Sequence, residues 1–153
     1  MQAFSSKPLT MINAFEKHCQ EANRFIKNLA MQLGTPDDTD HAVRVLRCVF
    51  IALRRTLIPD ESLHIISQLP LVLKGIYVDG WDINEPLCEA QTFDEFLFDI
   101  RNNTETSAGS DFANDELARK KITVIFNALK EFVSEGELDH VRDDLPKEIA
   151  ELV

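Results

Sequence analysis

Two Glu-X-X-His pairs, Glu61 with His64 and Glu137 with His140, are the most chemically suggestive residues in this 153-residue chain. On a helix that spacing sets a carboxylate beside an imidazole, and di-iron carboxylate bundles take one such motif from each of two helices plus one carboxylate from each of two others. The supporting carboxylates do not match: the preceding helices offer Glu16 and Glu21 in one half but Glu95 and Asp99, at non-equivalent positions, in the other. A helical wheel also fills one face with Leu63, Ile65, Ile66 and Leu69, leaving Glu61, His64 and Gln68 mostly on the opposite face. Leu138, Val141 and Leu145 likewise turn His140 away from the core. The expectation is two solvated surface pairs with no metal and no cofactor.

A second group is the basic stripe Arg44, Arg47, Arg54 and Arg55, which shares one side of a helix and suits phosphate or an acidic partner. The ordinary reading is a solvated helix face. One specific use would be docking against the acidic second half of another copy. Tyr77 and Trp81, the single residues of their types, bracket Gly80 and are expected to pack over the junction between two halves. Lining a ligand or peptide pocket is the alternative. His18 and His41 have no partner at ligand or triad spacing and are expected at the surface. No Gly-rich phosphate loop or GxSxG elbow is present in the sequence.

The elements that must position these groups are helices. Ile12, Phe15, Cys19, Ala22, Phe25, Ile26, Leu29 and Leu33 recur at threes and fours and predict a helix from Leu9 to Leu33, stopped by Gly34. Thr35 as cap and Pro36 as first residue predict a second helix to about Leu57. Prolines 59 and 70 bound a short third helix, Asp60 to Leu69, and a fourth, Leu71 to Val78. After a connector over 82–91, Thr92 and Glu95 form a capping-box pattern for a fifth. Thr104 to Asp111 reads as a polar, mobile loop. Asn114 caps a helix to about Val133, Gly136 interrupts it, and Glu137 to Leu145 precedes Pro146.

A shift of 76 positions superimposes Ala42 on Ala118, Phe50 on Phe126, Leu53 on Leu129, Glu61 on Glu137, His64 on His140 and Leu69-Pro70 on Leu145-Pro146. The expected fold is therefore all-α, a tandem duplication of a four-helix unit (long, long, short, short) sharing one core about a pseudo-twofold axis. Residues 1–153 form one compact domain of two repeats, 9–81 and 92–153.

At 44% hydrophobic and 27% charged, the chain has enough apolar material for a core without disulfide or metal support. The net charge is −10, and residues 86–153 hold 7 basic and 16 acidic groups. Such a surface argues against nucleic acid and anionic lipid, which bind through Lys and Arg. No apolar run approaches the ~20 residues of a membrane span, and Met1 to Thr10 lacks a signal-peptide pattern. Cys19, Cys48 and Cys88 lie far apart, consistent with reduced thiols in the cytoplasm.

The run Ser67-Gln-Leu-Pro-Leu-Val-Leu-Lys-Gly-Ile-Tyr-Val-Asp-Gly-Trp81, followed by Phe93-Asp-Glu-Phe-Leu97, closely resembles the bacterial family catalogued as domain of unknown function 2267. Ser134-Glu-Gly-Glu137 and Leu145-Pro146 fit it too, so the resemblance covers about residues 21–153. It implies a soluble all-helical protein of tandem units and brings no activity, cofactor or catalytic residue. The functional expectation is a non-enzymatic helical interaction module with a protein partner or a second copy of itself. The alternatives are a di-metal carboxylate redox or storage bundle on the Glu/His pairs, and a small apolar ligand between the units.

Overall fold

The computed structural model describes residues 10–153. The predicted start at Leu9, and the first residues of the 9–81 unit and of the 1–153 domain, lie outside them. Among the described residues there are nine helices and no strand: α1 Thr10–Gln32, α2 Thr39–Thr56, α3 Pro59–Gln68, α4 Leu71–Val78, α5 Phe93–Asn103, α6 Ala108–Asp111, α7 Asp115–Leu129, α8 Glu135–Asp144 and α9 Lys147–Ala150. None is long and apolar enough to cross a membrane.

Helix ends follow local chemistry. Gly34 takes a left-handed φ of 81°, and Thr35 N–H bonds Ala30 O while Gly34 N–H bonds Met31 O, which closes α1 with those two carbonyls satisfied. The start of α2 differs from expectation: Asp38, not Thr35, is the cap, and its carboxylate accepts from His41 N. The reason is geometric, because residues 36 and 37 complete a turn after the glycine and Thr35 Oγ1 is taken by His41 Nδ1. Thr92 and Glu95 form the expected capping box on α5. Pro70 and Pro146, in extended backbone, stand at the N-caps of α4 and α9. Gly136 does not interrupt a helix but lies in the first turn of α8, which Ser134 caps through Glu137 N. A glycine there costs only backbone entropy, about 0.5–1 kcal/mol relative to alanine in a helix interior, in a turn that Ser134 already caps. The helix before it ends earlier than expected, at Leu129.

Helix α2 is the centre, packing on α1, α3, α4, α5, α6 and α7. Its Ala42, Val45, Leu46, Cys48, Val49, Phe50 and Ala52 are wholly buried, and they join residues from Phe25 through Leu152 in one contiguous apolar cluster. Helix α3 leans on α2 and α4 and reaches across to α8, while α8 rests on α3 and α9.

The stretch 104–111 is not the mobile loop its composition predicts. It contains α6, and Ala108 and the following Phe112 are fully buried. Arg101 fastens the turn beyond it by donating to Phe112 O at 2.8 Å and Ala113 O at 3.2 Å. Polarity misled because one alanine and one phenylalanine suffice to anchor a single turn. Phe112→Ala should therefore lower unfolding free energy by about 3–5 kcal/mol in a urea titration; a loss under ~1 kcal/mol would show that this segment is not packed.

Candidate functional site

The four arginines of the predicted stripe all bind within the chain. Arg44 pairs with Asp111 through Nε at 3.0 Å and Nη2 at 3.3 Å. Arg47 reaches Glu105 at 2.8 Å and Asp79 at 3.0 Å. Buried Arg54 donates to the carbonyls of Tyr77 and Asp79, both at 2.8 Å, and so caps the end of α4 from a neighbouring helix. Arg55 grips Asp99 at 2.9 Å and also pairs with Glu85. With side chains only 16% and 4% exposed, Arg55 and Asp99 form a well-buried pair, whose loss on one side would leave an uncompensated charge. Donating hydrogen bonds to Asp111, Glu105 and Asp99 raises the pKa of Arg44, Arg47 and Arg55, whereas burial lowers that of Arg54. The stripe is thus a bracket for the segment between α4 and α7 rather than a solvated face.

Tyr77 is buried against Phe50, ring centroids 5.0 Å apart, and its hydroxyl meets Ser62 Oγ at 2.8 Å. Burial pushes its pKa well above the usual phenol value. Trp81 lies edge-on to Tyr77 at 6.2 Å and is half-buried. Tyr77 therefore belongs to the packing among α2, α3 and α4.

The Glu/His pairs behave differently from the wheel expectation in one respect. His64 does face solvent, with 60% of its side chain exposed. The carboxylates do not, Glu61 and Glu137 being 18% and 11% exposed, because α3 and α8 pack together and bring the two polar faces to one cleft. Glu61, His64 and Glu137 offer ligand atoms within 4.8 Å of one another. His64 Nδ1 stands 3.8 Å from Glu61 Oε2 and 3.9 Å from Glu137 Oε1. Those same two oxygens are buried and lack a hydrogen-bond partner among the described residues. Ser67, Gln68 and His140 complete the lining of a cleft of about 260 Å³. Gln68 steadies the helix pair, accepting from Ser134 N at 2.8 Å.

Buried carboxylate oxygens normally find donors. Two that face one another beside an imidazole, at separations too long for hydrogen bonds, form a set that a cation would satisfy. The wheel missed this because it sorts residues by a helix's own core and cannot show that two outward faces meet. The signal lay in the 76-residue offset, which places both pairs at equivalent positions.

Fold and cluster together define an all-helical protein in which, among the described residues, one mixed carboxylate–imidazole cluster joins two short helices. The family model described as an uncharacterized conserved protein, domain of unknown function 2267, matches residues 22–152, and the chain belongs to that family. No curated protein matches it.

His41, expected at the surface, is buried between α2 and α7. Lys121 Nζ lies 3.2 Å from its Nε2, and an ammonium can only donate, so Nε2 accepts and Nδ1–H donates to Thr35 Oγ1 at 3.0 Å. Lys121 also donates to Asp111 O. Burial, then Lys121 and Arg44, lower the His41 pKa from 6.5, against the opposing pull of Asp111 and Asp38. The unfolded chain therefore binds a proton at this residue that the folded one refuses, and stability present above pH ~6.5 declines as the pH falls. Melting temperature should drop between pH 7.5 and 5.5 by more in the wild type than in His41→Gln; parallel profiles would refute this.

Proposed function

We propose that the protein is a non-enzymatic helical module that binds one divalent transition-metal ion between two copies of a four-helix unit. The observation carrying this reading is the pair of buried, partnerless oxygens of Glu61 and Glu137 facing His64 Nδ1 across the junction of α3 and α8. The 3.8 and 3.9 Å separations are close to those that ~2.0–2.2 Å bonds to one zinc-class ion impose, so small side-chain movements close the set. Two carboxylates neutralise a divalent charge, and the imidazole favours transition metals over magnesium or calcium.

The duplication is supported by the 76-residue offset and by packing that recurs in kind: α1 on α4 and α7, α5 on α9 and α2, with α3 on α8 between them. In this reading one compact domain holds repeats 9–81 and 92–153. Free cysteines at 19, 48 and 88 suit a cytoplasmic protein. With the arginine stripe engaged internally, self-association through it loses its support.

Calorimetric titration of protein without a histidine tag should show one equivalent of Zn²⁺ or Mn²⁺ bound, and a rise in stability of about 2.7 kcal/mol at 100-fold excess over Kd. Glu61→Gln combined with Glu137→Gln should abolish binding. Equal binding by the double variant, or none by the wild type, would overturn the proposal.

A further inference from the structure

We propose that His140 swings inward to become the fourth ligand of this ion, closing the site into a structural staple between α3 and α8. The inference rests on the metal reading above and concerns what fills the ion's remaining position. Glu61, His64 and Glu137 supply three ligand atoms, and zinc-class ions held by three protein groups keep an open position, whereas those held by four are structural. An exogenous anion is a poor candidate for that position. Two carboxylates already cancel the charge of a divalent ion, and the chain around it carries a net charge of −10. A neutral donor fits better, and His140 lines the same cleft.

Its position follows from the spacing. His140 stands three residues after Glu137 on α8 just as His64 stands three after Glu61 on α3, so both imidazoles rise from the turn beyond their carboxylate. His140 is exposed, and moving an exposed imidazole between staggered rotamers takes place on a picosecond-to-nanosecond scale without disturbing the core. The cleft of about 260 Å³ leaves room for the ring to enter. Each helix then contributes one carboxylate and one imidazole. The ion holds α8, whose own buried side chains are Leu138 and Val141, against α3, at the point where Gln68 already accepts from Ser134.

Cobalt(II) substitution tests this, because its visible absorption reports the ligand set. Wild-type protein titrated with Co²⁺ should develop a tetrahedral spectrum, and His140→Gln should alter it and weaken Zn²⁺ binding by at least the ~10-fold that even an outer partner's loss costs. The variant's circular dichroism and metal-free melting temperature should match the wild type. His140→Ala serves as a second variant, and His64→Gln as the comparator that loses a ligand of the original three. Should His140→Gln and His140→Ala bind Co²⁺ with wild-type spectrum and affinity while His64→Gln does not, the staple is wrong and the three-residue site stands. A wild-type protein that binds neither ion removes both.

Discussion

More of the helices pack on α2 than on any other element among the described residues. Its apolar side lies among α1, α4, α5 and α7, and its basic side is covered by residues 77–111 through charge-assisted bonds. A helix buried this deeply needs acceptors for its guanidinium groups, because an uncompensated buried charge is among the costliest defects a fold can carry; buried Arg54 finds its own in the carbonyls of Tyr77 and Asp79. Asp79, Glu85, Asp99, Glu105 and Asp111 are the counterweights. The connector and α6 follow the path that lets those carboxylates reach α2, which is why a stretch of Ser, Thr and Gly is ordered.

That constraint marks the limit of what could be read from the sequence. Apolar periodicity, Gly34 and the Thr92 capping box were legible because each acts within a few residues, and they located the long helices to within a few positions. The family, too, was legible in the Gln-Leu-Pro to Gly-Trp run. Arg44 finding Asp111, or Arg55 finding Asp99, was not, since nothing local distinguishes a solvated basic stripe from one covered by chain that arrives 44 to 67 residues later. His41 was misplaced for the same reason: its partner Lys121 lies 80 residues away.

The Glu/His cleft shows the same limit from the other side. Both motifs and their equivalence under the 76-residue offset were visible, and so was the outward direction of the imidazoles. What the sequence could not display is that α3 and α8 touch. Two faces that are polar by the standard of their own helices become mutual neighbours, and carboxylates meant for water end up 82–89% covered by each other's helices (exposures of 18% and 11%). A polar face opposed to a polar face needs a mediator, whether donor, water or cation, and Gln68 with Ser134 supplies one for the backbone end of the contact.

The arginine bracket also has a bearing on time. Its bonds join residues 23 to 67 positions apart, so the entropy of closing those loops favours their forming after the local helices. Contacts made on the native side of the folding barrier slow unfolding and leave the folding rate almost untouched. Where they do form late, screening these pairs with salt acts on the lifetime of the folded state more than on the rate of reaching it.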